Sequence, residues 1–310
     1  MVLFITGRCS RKCWYCPLAK ERKGNDMIFA NEREIHSPDE AIDEARLMSA
    51  LGTSITGGEP LLVLERVRAY ATALKETFSP SHHIHLYTAL APDSPTLLSL
   101  RGLVDEIRFH PPPEEWPAIL NSAFLEAVTT AKQLGFSAGF EVPGLKGVNL
   151  LEPALPLLDF LNINELEWGE LSADEMRSRG LELIDGLHNA VRYSAKWSQP
   201  LRHHRQVHFC PSRFKDSVQL RERLKRIARN TARSFDEVTD DGTIVYGVIE
   251  GAGPKEKHTL DLGPGDYEEC GDQIELSWHT LKRKSQKIKG RKYIIERYPP
   301  RGIVVELTPL

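Results

Sequence analysis

Through the first 210 residues, runs of β-branched and aromatic residues alternate with stretches of helical period. That alternation is the mark of βα units wound around a parallel sheet. Met1–Thr6 reads as the first strand, and Ser37-Pro38-Asp39-Glu40 as a helix start, with serine as the cap, proline at the first helical position and acids in the first turn. This helix is expected to stop at Gly52, and Thr53–Thr56 to form a second strand followed by a helix over 63–78. Further strands are expected at 83–90, 104–110, 136–144 and 162–168, with helices at 94–101, 114–134, 150–160 and 173–192. A seventh short strand, 206–210, leads to a basic helix beginning near Lys215. No Gly-x-Gly-x-x-Gly turn follows the first strand, so the pattern predicts an α/β chain built on a partial (β/α)6 barrel rather than a dinucleotide fold.

After Ser234 the texture changes. Stretches 243–251, 273–278, 292–298 and 302–308 read as strands joined by Gly/Pro turns. Residues 1–234 are therefore expected to form the barrel with a basic helical extension, and 235–310 a small C-terminal β-rich or α+β domain for substrate recognition. With 41% hydrophobic and 27% charged residues the composition is that of a soluble protein. No apolar stretch approaches the roughly 20 residues of a membrane helix, and Met1–Ile5 is too short for the apolar core of a signal peptide. The expectation is a cytoplasmic protein with no membrane partner. The net charge of −3 hides two basic runs, 221–233 and 282–301, which read as solvated faces or as an anion-binding surface.

Three of the five cysteines fall within eight positions: Cys9, Cys13 and Cys16, spaced C-x3-C-x2-C directly after the first strand. An odd, low count argues against a disulfide framework and for thiolates kept for metal or catalytic use. Three sulfurs are one short of a closed tetrahedral site. Either Cys210, Cys270 or a histidine completes a zinc site, or one coordination position stays open.

A second motif, Gly57-Gly58-Glu59-Pro60, stands where the second strand ends. With the cysteines, and with Tyr15 in the slot before Cys16, it makes the chain resemble the radical S-adenosylmethionine (radical SAM) superfamily, closest to archaeal-type relatives of pyruvate formate-lyase activating enzymes. The resemblance implies a [4Fe–4S] cluster on Cys9, Cys13 and Cys16 whose open iron is chelated by SAM. It further implies reductive cleavage to a 5′-deoxyadenosyl radical that abstracts a substrate hydrogen, and a low-potential donor such as ferredoxin or flavodoxin. Gly57 and Gly58 would let the backbone approach the methionine moiety, Glu59 would face the cationic end of SAM, and Pro60 would hold the turn. By the same resemblance Thr88, His110, Pro143 and Gly144, at later strand ends, would complete the SAM pocket.

Glu141 is expected to turn inward, and Asn162, Asn164, Glu165 and Glu167 are candidate substrate contacts or members of an internal hydrogen-bond network. Cys210 is the candidate catalytic thiol, as hydrogen donor, covalent anchor or cluster ligand: beside Arg213 and Lys215 its pKa should fall. The alternative is a buried packing cysteine. Cys270, in an acidic loop, reads as incidental. The first substrate reading is a nucleic acid, tRNA, gripped by the basic helix and C-terminal domain with Trp278, Tyr293 and Tyr298 stacking on bases. The alternatives are a protein or peptide substrate, a small molecule, and a non-catalytic iron–sulfur or zinc interaction protein.

Overall fold

The computed structural model describes residues 1–251 and 258–310. The chain divides into two compact units, one of residues 1–46 and 50–215 and the other of residues 47–49 and 216–310.

In the first unit, β1 (Val2–Phe4) is followed by a hairpin, β2 (Phe29–Ala30) and β3 (Arg33–Glu34), and then by β4 (Gly52–Thr56), β5 (His83–Thr88), β6 (Glu106–Phe109), β7 (Ser137–Pro143), β8 (Leu161–Asn164) and β9 (Val207–Cys210). The sheet order is β3-β2-β1-β4-β5-β6-β7-β8-β9. From β1 through β4 to β9 every pairing is parallel, and among the described residues no strand pairing closes the sheet. This is the α/β partial barrel that the alternation predicts. The hairpin, antiparallel on β1, was not expected: it turns through Asn31 in a left-handed conformation, and two-residue strands carry no periodicity.

Each strand sorts its residues by parity. Leu3, Ile55, Ile84, Leu86, Ile107, Phe109, Phe140 and Ile163 are fully buried in the main apolar core. The alternate positions carry His83, His85 and Tyr87 on β5, Glu106 and Arg108 on β6, Glu141 on β7 and Asn162 and Asn164 on β8. The core is completed by helices α1 (Pro38–Leu47), α2 (Leu64–Phe78), α3 (Ser94–Ser99) and α4 (Ala123–Gln133). The start of α1 is a reciprocal cap, since Glu40 N–H donates to Ser37 Oγ while Glu40 Oε2 accepts from the His36 and Ser37 N–H groups. It ends at Leu47, five residues before the expected stop.

Prolines explain most of the other departures, because each removes a donor that an α-helix needs. The helix expected over 114–134 begins as a 3-10 segment, Pro113–Asn121, with Pro117 inside, and becomes α4 only after Ser122 caps it. The one expected over 150–160 is a 3-10 segment, Val148–Leu157, containing Pro153 and Pro156. The helix expected over 173–192 stops at Ser178, and Gly180 follows in a left-handed conformation.

The second unit is an antiparallel sheet, ordered β12 (Tyr267–Cys270), β13 (Gln273–Leu276), β11 (Ile244–Glu250), β14 (Lys292–Arg297), β15 (Val304–Pro309), with β10 (Glu237–Val238) also on β11. The basic helix Leu220–Thr231 belongs to this unit, and Ala228 packs with Ile244, Tyr246 and Val248. The strand expected to run to Trp278 ends at Leu276, and Trp278 opens a helix to Lys284. Cys270 lies on β12, a strand where a loop was expected. Its sulfur is 3.9 Å from the Arg301 guanidinium.

Candidate active site

The C-terminal ends of the parallel strands surround a cavity of about 300 Å³. Cys9, Cys13, Tyr15 and Cys16 line it from the loop after β1, Gly57, Gly58 and Pro60 from the turn after β4, and Thr88, His110 and Pro143 from the ends of β5, β6 and β7. Ten of the thirteen site residues expected from sequence thus converge.

The glycines are dictated by close packing of the two loops. A Cβ on Gly58 would lie 2.4 Å from the Arg8 carbonyl oxygen, and one on Gly57 2.4 Å from that of Thr6. Both oxygens are bonded in place: Gly58 N–H donates to Thr6 O at 2.7 Å and Glu59 N–H to Arg8 O at 2.8 Å. Gly58→Ala is therefore expected to prise the turn from the cysteine loop, costing about 1–3 kcal/mol as overpacked sites do. A urea midpoint matching the parent would contradict this.

Glu59 is held by the protein's own donors. Its carboxylate is fully buried and accepts from Leu61 N–H (3.0 Å), the Thr88 hydroxyl (2.8 Å) and Ala89 N–H (2.7 Å). It clasps the end of β5 to its own turn. Burial pushes its pKa up, against the lowering by these three donors.

Tyr15 is buried, with its hydroxyl 3.0 Å from His110 Nε2, while His110 Nδ1 is 2.8 Å from the Glu141 carbonyl oxygen. A carbonyl only accepts, so Nδ1 carries the proton, and Nε2 of the neutral ring accepts from Tyr15. Burial depresses the His110 pKa and keeps the ring in that form.

Gly144 stays outside the cavity: a Cβ there would meet Ser194 Oγ and Ser198 Oγ at 2.7 Å, and Ser194 Oγ donates to Gly144 O at 2.8 Å. Cys210 does not line the cavity either. It stands opposite Asn164 in the β8/β9 register, and burial raises its thiol pKa despite the lowering from Lys215. Burial and the nearby carboxylates of Glu141, Glu167 and Glu165 outweigh Lys215, whose ammonium bonds to Glu167 Oε1 at 2.8 Å.

The polar stripe resolves into a network. Arg108 Nη1 donates to Glu141 Oε2 at 2.8 Å and to the Tyr87 hydroxyl at 2.9 Å, and its Nε to Glu106 Oε1. Asn164 and Asn162 amides donate to the two Glu141 oxygens at 2.7 and 3.2 Å. Glu165 accepts from Ser212 N–H, and Glu167 and Lys215 reach the cavity.

Sequence reasoning missed the fastening of the cysteine loop. Arg11 Nε donates to Ala89 O at 3.1 Å, and Asp26 accepts from the Thr6 hydroxyl at 2.8 Å and from Arg66 Nη1 at 2.6 Å. No motif marks such pairs, 20 and 40 residues apart. The Arg66 and Thr6 donors hold the Asp26 carboxyl down at about 2. A depressed folded pKa means stability present above the unfolded value, about 3.9, and lost as pH falls towards 2. Asp26→Asn is expected to flatten that part of the acid limb of a urea-midpoint against pH curve. An unchanged limb would refute it.

The three thiols suit a cluster better than a single ion. A lone zinc with bonds of about 2.3 Å draws thiolates to about 3.8 Å apart, yet these sulfurs are not among the side-chain trios, among the described residues, whose ligand atoms lie within 4.8 Å of one another. Residues 3–160 match the family model described as the radical SAM superfamily, slightly over half of the chain. The chain belongs to the radical SAM superfamily. It is an enzyme of that class, which works with an iron–sulfur cluster and SAM and needs a reductant. Residues 242–310 match a family described as a domain of unknown function. Over its whole length the chain is 33% identical to a Methanocaldococcus jannaschii protein, provisionally named a glycyl-radical enzyme activating enzyme, of which 89% is covered. No helix among the described residues is long and apolar enough to cross a membrane.

Proposed function

We propose that this radical SAM enzyme activates a protein, abstracting a hydrogen atom from a glycyl residue of a partner polypeptide. The observation that carries the reading is the full-length similarity to a relative named for that activity, which favours the protein substrate over the tRNA reading. In the second unit the Trp278 indole donates to Glu237 Oε2 at 2.6 Å, with Lys282 over its ring.

Cys9, Cys13 and Cys16 would hold a [4Fe–4S] cluster, and the Gly57–Gly58 backbone, Thr88, His110 and Pro143 would border SAM. When bound, the cluster supplies the electron that splits SAM into methionine and a 5′-deoxyadenosyl radical. The chain's own residues seat and enclose the cosubstrate: Tyr15 and His110 hold a fixed, neutral wall, and Glu59 keeps the glycine turn closed on the cysteine loop. Ferredoxin or flavodoxin would be the donor. Cys210, outside the cavity, would be a packing residue.

The test is anaerobic reconstitution, then incubation with SAM, dithionite and a glycyl-radical-type protein from the same genome. The expected result is 5′-deoxyadenosine together with an organic radical signal on the partner in electron paramagnetic resonance. Cleavage with no radical on the partner, alongside a mass change in tRNA, would overturn the proposal.

A further inference from the structure

We infer that His83, His85 and Glu106 form a binding site for a divalent transition-metal ion of the zinc class, at the end of the barrel strands opposite the cysteines. One ligand atom from each of the three lies within 4.8 Å of those of the others. The geometry follows from the strands. His83 and His85 are two residues apart on β5 and so share a face, and Glu106 on β6 is paired directly with His85 in the parallel register.

Glu106 is already aimed. Its Oε1 accepts from Arg108 Nε, leaving Oε2 to face His83 Nε2 at 4.0 Å. The His85 ring stands between those of His83 and Tyr87, at centroid distances of 5.8 and 5.5 Å, with no hydrogen bond to it found among the described residues. Two imidazoles and a carboxylate are a donor set that zinc accepts, with water in the fourth place. Bonds of about 2.0–2.1 Å put such ligand atoms roughly 3.3 Å apart, so the trio has to close by no more than about 1.5 Å, within reach of side-chain torsions.

The surrounding charge is compatible: Arg108 stands between two carboxylates, Glu106 and Glu141, so the network carries one excess negative charge. The site is distinct from the cysteine cavity, because β5 runs six residues from His83 to Thr88, about 16 Å at 3.3 Å per residue. A bound ion would cross-link β5 to β6 below the Arg108 network.

The holoenzyme, with its cluster in place so that the cysteines are occupied, is stripped with a chelator and titrated with Zn²⁺. The expected result is one zinc per chain beyond the cluster, an all nitrogen/oxygen shell in zinc-edge X-ray absorption, and a Zn²⁺-dependent rise in melting temperature. His83→Ala, at a half-exposed position, is expected to fold normally, to bind Zn²⁺ at least about ten-fold more weakly and to lose the thermal response. His85→Ala should do the same. Sulfur in the zinc shell, no zinc uptake, or uptake unchanged in His83→Ala would overturn the inference without bearing on the glycyl-radical proposal.

Discussion

Cys13→Ala is expected to leave the barrel folded and to reduce formation of 5′-deoxyadenosine to background. Cys13 lies in an irregular loop, half buried at the cavity wall, so losing its sulfur removes little packing. It would remove one of the three proposed cluster ligands. The loop stays fastened by Arg11 and Asp26, whose bonds do not involve that thiol. Retained far-ultraviolet circular dichroism with no nucleoside product is the expected pair of readings. Cys210→Ala serves as the internal control: lying outside the cavity lining, it should keep cleavage at the parent rate. A Cys13→Ala protein that still makes 5′-deoxyadenosine would remove the basis for placing the cluster here.

The second large effect belongs to the interior of the barrel. The Arg108 side chain is 20% exposed and its partner Glu141 10%, so both charges are largely removed from water. Arg108→Met would leave two buried carboxylates, Glu106 and Glu141, without their cation. Breaking one side of such a pair costs about 3–5 kcal/mol, because the remaining charge is uncompensated. For a unit of roughly 200 residues that corresponds to a fall on the order of 10 °C in melting temperature. Calorimetry of the barrel transition checks it. Glu141→Gln keeps hydrogen-bonding capacity at the same place and is expected to cost less. Equal losses in the two variants would mean that charge is not what the network supplies.

How much of this was legible beforehand differs from one element to the next, for physical reasons. The strands were legible because each buries one apolar face, and alternation survives in the sequence. Helix starts were legible where a cap is a local motif, as at Ser37. The proline-broken segments 113–121 and 148–157 were misread as regular helices, although Pro117, Pro153 and Pro156 were visible; periodicity was weighed over donor loss. The ion pairs and hydrogen bonds that seat the site were not legible. Asp26 with Arg66, Arg11 with Ala89, and Glu59 with Thr88 join residues 29 to 78 positions apart, and a charged residue looks the same in sequence whether it faces a ligand or a strand end.

The order of residues by itself determined the partial barrel, the three-cysteine loop after the first strand and the glycine turn after the second, because strand periodicity and metal-ligand spacing are local properties of a chain. Only the tertiary structure decided the bearing of Glu59, the exclusion of Gly144 and Cys210 from the cavity, and the union of Tyr87, Arg108, Glu141 and Asn164 in one network. Those outcomes depend on which strands become neighbours and in what register, and hence on where a buried polar group finds its partner.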